Sequence, residues 1–199
     1  MRHGESAPAR VDEPFELADG HGDPPLHPDG IRQAELLVAA LAAEAVAAVY
    51  ITTLRRTRQT AEPFLAHSGL VAQVEPDLRE VFLGEWEGGE FRRRAATADP
   101  QFTRMMEAQR WDLIPGAEPG DVFDARVRAA LGRIVARHPD HTVAVVTHGG
   151  VIGQLLAHAV QAGSGFAFIG ADNASISEIV VHGDRWILRR FNDTSHLRS

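Results

Sequence analysis

Apolar positions recur at helical spacing through Ile31, Ala34, Leu37, Val38 and Leu41. One face of that stretch is built for burial, so the spacing predicts a helix from Ile31 to about Glu44, with Pro28 where a first-turn proline belongs. The apolar run 48–51 predicts a short buried strand. A second helix is expected from Leu54 to about His67, ended by Ser68 and Gly69 and interrupted by Pro63. Val71 to Glu75 reads as another short strand. Further on, Asp121 to Arg137 carries Phe123, Val127, Leu131, Ile134 and Val135 on one side and predicts a long helix. The β-branched run from Thr142 to Thr147 has no polar alternation, the pattern of a strand covered on both faces. Gly149 to about Val160 follows as a helix. Ser175 to Val181 and Arg185 to Phe191 predict a closing hairpin around His182, Gly183 and Asp184. Strands alternating with helices make this an α/β chain, a three-layer sandwich with a mostly parallel sheet and an antiparallel edge strand.

Between Asp77 and Gly120 the pattern loosens. Glycines and prolines punctuate it, with short helical pieces expected in the gaps, such as Gln101 to Arg110. The stretch at about 84–120 reads as a cap-like insertion in a single domain spanning 1–199. The apolar stretch from Leu36 to Ile51 is interrupted by Glu44 and flanked by Arg32 and Arg55, so it predicts a core helix and strand rather than a membrane span.

Composition narrows the chemistry. The chain has 199 residues and no cysteine, which excludes disulfides, thiolate metal sites and cysteine nucleophiles. This fits a cytoplasmic setting. All 20 basic residues are arginine, against 27 acidic ones, for a formal net charge of -7. Without lysine there is no Schiff-base chemistry and no phosphate-loop lysine. The negative balance argues against general binding of nucleic acid or anionic membrane. Recognition of a phosphate must rest on arginine, histidine and backbone N–H groups.

Four segments place unusual residues near strand ends, where open α/β sheets bind ligands: Arg2-His3-Gly4-Glu5, the stretch 54–60 with Arg55, Arg56 and Arg58, the stretch 78–88 with Glu80, and Thr147-His148-Gly149-Gly150. Arginines at a helix start oppose the helix dipole and so point to an anionic partner. His148 ends the most apolar strand and precedes two glycines that open a helix, an arrangement suited to anion binding at Gly149. His138 and His141 have metal-like spacing but fall in a turn and are read as solvated.

Taken in order, these segments resemble the histidine phosphatase superfamily, the phosphoglycerate mutase-like fold. The likeness extends over nearly the whole chain through Leu26, Pro28, Gly30, Gln33 and Ala34, through Gly84, Trp86 and Gly88, and through Asn173 to Ile176 and Asn192 to Leu197. The resemblance implies a metal-independent phosphomonoesterase with no cofactor, working through a phosphohistidine on a small phosphorylated metabolite. It implies His3 as nucleophile, Glu80 as the acid and base, His148 as a further catalytic donor, and Arg2 and Arg56 as phosphate ligands, joined by Gly149. A phosphoglycerate-type mutase and a non-catalytic phosphate binder are the alternatives.

Two departures from the family pattern stand out. Members carry a hydrophobic strand before the Arg-His-Gly motif, and here only Met1 precedes it. Many also place an asparagine several residues after that motif, where this chain has Glu5 to Arg10. Arg10 is read as a solvated loop residue, and Arg92, Arg93 and Arg94 as solvent-facing.

Overall fold

The computed structural model describes residues 1–10 and 13–198. Its first elements are a small hairpin, β1 (Leu17–Ala18) and β2 (His21–Gly22). Asp19 and Gly20 turn it, both at positive φ (49° and 82°). The Asp-Gly pair is a strong hairpin signal that the sequence reading passed over.

Helix α1 (Pro28–Ala42) starts three residues earlier than its apolar stripe suggests. His27 precedes it, and its ring nitrogen accepts from Asp29 N–H. Strand β3 (Val46–Ile51) and helix α2 (Arg55–Ser68) follow. Helix α2 continues through Pro63 and ends on Gly69, in the left-handed conformation (φ 73°) that glycine adopts without penalty. Strand β4 (Ala72–Val74) then pairs in parallel with β3.

The glycine- and proline-rich stretch contains α3 (Glu90–Ala96) and α4 (Pro100–Ala108). Helix α3 is one of the short helical pieces expected there, at bounds the sequence did not mark. It has no buried residue on its own account, so its sequence shows no clear apolar stripe. Helix α5 (Gly120–Arg137), strand β5 (Thr142–Val145) and helix α6 (Gly149–Val160) match the expected order. The closing hairpin is β6 (Ile176–His182) and β7 (Arg185–Asp193), turned at Gly183 with φ 57°.

The layers follow from alternation along β3 and β5. Val49 and Ile51 of β3, with Ala144 and Val146, face Leu37 and Leu41 of α1 and Ala61 and Phe64 of α2. Ala48 and Tyr50 of β3, with Val143 and Val145, face Val127, Leu131 and Ile134 of α5 and Val151 and Leu155 of α6. Period-two side chains on a sheet buried from both sides thus form two cores. The parallel sheet runs β4-β3-β5, and β6 and β7 pair antiparallel as a separate two-stranded sheet. The segment Met1–His3 links the two: Thr147 N–H donates to Met1 O, His3 N–H to Thr147 O, Arg2 N–H to Ser175 O and Ala174 N–H to His3 O. The Arg-His-Gly motif therefore lies in the sheet plane between the end of β5 and the start of β6.

His138 corrects the expectation of a solvated turn histidine. It is half-buried, with its Nε2 at 3.0 Å from the hydroxyl of the fully buried Tyr50.

Candidate active site

His3 is buried at the carboxyl end of the parallel sheet, not frayed at a terminus. Its Nδ1 lies 2.7 Å from Gly4 O, and Arg56 Nε lies 3.2 Å from its Nε2. A carbonyl can only accept and a guanidinium can only donate. The ring is therefore protonated on Nδ1 and carries its lone pair on Nε2. Burial drives the His3 pKa well below the usual histidine range, and the charges of Arg56, Arg2 and Arg92 add to the shift. The imidazole is neutral, with a bare nitrogen among cations.

The first turns of α2 build one wall. Arg56, Thr57 and Thr60 are buried. Thr60 Oγ1 donates to Arg56 O and accepts from Gly4 N–H, which ties α2 to the Arg-His-Gly segment. Thr57 Oγ1 accepts from Thr52 N–H and donates to Leu54 O. Arg56 also donates to Gly22 O, and burial lowers its pKa to about 10. The other two arginines of this segment differ. Arg55 pairs with Asp23 and Glu16, and Arg58 is exposed. Only one of the three points to the site.

His148 is fully buried beside His3, with ring centroids 5.2 Å apart. Its Nε2 lies 3.0 Å from Thr52 Oγ1, and its Nδ1 is buried without a hydrogen-bond partner. Burial, with Arg56 second, pushes its pKa well below the usual range. Arg2 donates through Nη1 to Ala171 O, while its Nε is buried and unpartnered. Buried donors without partners are rare in folded proteins, and two of them flank His3.

Glu80 reaches the same place from the segment after β4. Its Oε1 accepts from Val81 N–H at 3.0 Å and Gly150 N–H at 3.1 Å, and its Oε2 lies 3.2 Å from the latter nitrogen. The start of α6, expected to meet a ligand anion, thus holds the Glu80 carboxylate. A side chain at Gly150 would put its Cβ 2.5 Å from Glu80 Oε1, so this approach requires glycine. Gly149 sits against Arg2, whose Nε would lie 3.9 Å from a Cβ there. It is not among the residues lining the adjoining cavity.

That cavity has a volume of 210 Å³, with Arg2, His3, Arg56 and Glu80 in its wall. Three further wall residues were missed from sequence. His21 comes from β2, and its buried Nε2 has no partner. Glu87 accepts from Gly22 N–H and Leu83 N–H and so fixes β2 against the stretch after Glu80. Arg92 is half-buried, faces the cavity, and corrects the expectation that it is solvated. Its neighbours Arg93 and Arg94 pair with Glu90, and Arg94 also with Asp99. Arg10 is exposed and paired with Glu13, as expected of a loop residue. Arg126 was also overlooked. It donates to the carbonyls of Asp77, Arg79 and Glu80 while pairing with Glu118.

Among the described residues, one group of three potential metal ligands comes together, Glu5, His27 and Asp29, within 4.8 Å of one another. It lies outside the cavity wall. No helix among the described residues is long and apolar enough to cross a membrane.

A buried histidine with two arginines and a carboxylate at the carboxyl end of an α/β sheet is the arrangement expected of the histidine phosphatase class. The family model of the histidine phosphatase superfamily (branch 1) matches residues 1–194, and the chain belongs to that family. It is 30% identical over 207 residues to a metal-independent phosphoserine phosphatase of Arabidopsis thaliana, covering 100% of this chain and 82% of that protein. It is 28% identical over 160 residues to an adenosylcobalamin/alpha-ribazole phosphatase of Escherichia coli, covering 80% and 77%. A mycobacterial glucosyl-3-phosphoglycerate phosphatase solved with inorganic phosphate superposes with a TM-score of 0.80 at 27% identity, covering 98% of this chain and 96% of that one.

Proposed function

We propose that this protein hydrolyses a small phosphomonoester through a phosphohistidine on His3, without a metal ion. The reading rests chiefly on one observation: the bare Nε2 of a neutral, buried His3 sits among cationic donors, and Arg2 Nε and His148 Nδ1 nearby lack partners within the protein. Phosphoryl oxygens are acceptors of the geometry that such donors satisfy.

His3 Nε2 attacks phosphorus in line, and the bond from phosphorus to the ester oxygen breaks. Arg56 Nε turns from His3 Nε2 to a phosphoryl oxygen, and Arg2 Nε takes another. His148 donates from Nδ1 while its Nε2 accepts from the Thr52 hydroxyl, the tautomer this bond allows. Glu80, entering this step as the carboxylic acid, passes its proton to the departing alkoxide. It then takes a proton from the water that attacks the phosphohistidine, which frees Nε2 and releases phosphate. The guanidinium charges stabilise the oxygens throughout. The phosphatase names among the relatives support hydrolysis, and the small cavity supports a small-molecule ester.

The test is phosphate release from a panel of small phosphomonoesters by the wild type and by His3→Ala. The expected outcome is turnover by the wild type and none above background by the variant, with an unchanged circular dichroism spectrum. A folded His3→Ala variant that retained turnover would remove His3 as nucleophile.

A further inference from the structure

The β1–β2 hairpin brings to the cavity a histidine that the transfer of the phosphoryl group does not use. His21 pairs with Ala18 across the turn at Asp19 and Gly20. The turn leaves Asp19 O 3.3 Å from His21 Nδ1. A carbonyl can only accept, so Nδ1 carries the proton and the neutral ring keeps its lone pair on Nε2. His21 is only 8% exposed and lines the cavity, yet its buried Nε2 has no hydrogen-bond partner among the described residues. Buried polar atoms without partners are rare. One in a cavity wall marks a place where a ligand completes the bonding.

The hairpin is fixed against the segment that carries Glu80. Arg79 Nη1 donates to the Asp19 carboxylate at 3.2 Å, the His21 ring stands edge-on to Phe82 with centroids 5.3 Å apart, and Glu87 accepts from Gly22 N–H at 2.6 Å. Gly22 O in turn accepts from Arg56 Nη1 at 2.9 Å. Strand β2 thus bridges a phosphate ligand and the stretch that supplies the general acid. Phosphoryl oxygens are acceptors, and a bare nitrogen repels them. They are left to Arg2, Arg56 and His148, while His21 Nε2 faces the rest of the ester and calls for a donor there. An ammonium would meet the like charges of Arg2, Arg56 and Arg92 in the same wall. A neutral hydroxyl fits. The leaving group is short, because 210 Å³ falls below the roughly 300–1,000 Å³ usual for ligand pockets.

Resting on the phosphatase reading above, we propose that His21 is a specificity-determining residue whose Nε2 accepts a hydrogen bond from a hydroxyl on the leaving group. The preferred substrate is then the phosphomonoester of a short polyol.

The experiment compares glycerol 3-phosphate with n-propyl phosphate, which has the same carbon chain without hydroxyls, on the wild type, His21→Phe and His21→Gln. p-Nitrophenyl phosphate serves as a general probe of turnover. The wild type is expected to favour glycerol 3-phosphate in kcat/KM by about 5–10-fold, the scale of one neutral hydrogen bond. His21→Phe keeps a ring against Phe82 but has no acceptor, and should bring the ratio close to one. His21→Gln places an amide oxygen near the position of Nε2 and should restore part of the preference. Because each ratio is internal to one variant, a change in overall stability does not mimic the effect. No preference in the wild type, an unchanged ratio in His21→Phe, or a ratio in His21→Gln no higher than in His21→Phe would overturn the inference. Equal losses for both esters would place His21 at the phosphoryl group or in the scaffold, and would overturn it as well. Wild-type failure to cleave any ester, p-nitrophenyl phosphate included, would overturn the phosphatase reading and the inference with it.

Discussion

The ring of His3 shows how local chemistry sets a residue's role. Gly4 O holds Nδ1 and Arg56 holds Nε2, so the tautomer is fixed before substrate arrives. The same burial has a consequence for stability. An unfolded histidine titrates near 6.5, whereas folded His3 and His148 both stay neutral well below that. As pH falls through 6.5 the unfolded chain takes up protons that these folded rings refuse, so stability falls with pH. Each such ring contributes a slope of about 1.4 kcal/mol per pH unit between 6.5 and its lowered folded value. Replacing His3 with Asn removes one of the two. Urea unfolding between pH 6.5 and 5 should therefore show the stability of His3→Asn falling less steeply than that of the wild type by about that amount. Parallel pH profiles would mean that His3 is protonated in the folded protein.

At the scale of elements, the path of the chain at Glu80 depends on α5. Arg126 is placed one turn after Phe123, on the side of α5 that meets the segment 77–80, and its guanidinium lies 4.8 Å from the Phe123 ring centre. It serves the Asp77, Arg79 and Glu80 carbonyls and the Glu118 carboxylate at once, with only 19% of its side chain exposed. Arg126→Met keeps the apolar stem but leaves three carbonyls and a carboxylate without their donor. It should cost roughly 3 kcal/mol, read as a lowered urea midpoint, and should lower kcat as Glu80 loses its fixed path. A variant of wild-type stability and kcat would show that the segment holds itself. This clamp was not legible in the sequence, where Arg126 is one polar position on a helix. The motif segments were legible because the local order carries them: Arg56, Thr57 and Thr60 fall on one face of one helix, and His148 directly precedes the glycines that start α6. The bounds of helix α3 were not, because no local apolar period marks it, and the two-residue strands of the β1–β2 hairpin left only the Asp19-Gly20 turn as a local signal, the rest being held by distant partners such as Glu87 on Gly22.

For the whole molecule, charge is arranged against composition. The chain carries a formal net charge of -7, yet its cavity wall brings together Arg2, Arg56 and Arg92 with two carboxylates, Glu80 and Glu87. The layers were readable from the alternation of apolar strands and helices, but this gathering was not, since Arg92 is held at the site by Ser6, Ala7 and Phe15, distant in sequence. Under the proposed mechanism, concentrated guanidinium charge in a partly desolvated cavity does the work that a divalent ion performs in many phosphoryl-transfer sites, neutralising the non-bridging oxygens and orienting the ester. The candidate ligand cluster of Glu5, His27 and Asp29 stands apart from that wall. Phosphate release should therefore be unchanged, within about twofold, after exhaustive treatment with EDTA. It should weaken as ionic strength rises, because salt screens the attraction between the arginines and an anionic substrate. Loss of activity in EDTA, restored by one added divalent ion, would show that the arginines do not suffice and would move the source of positive charge to a bound metal.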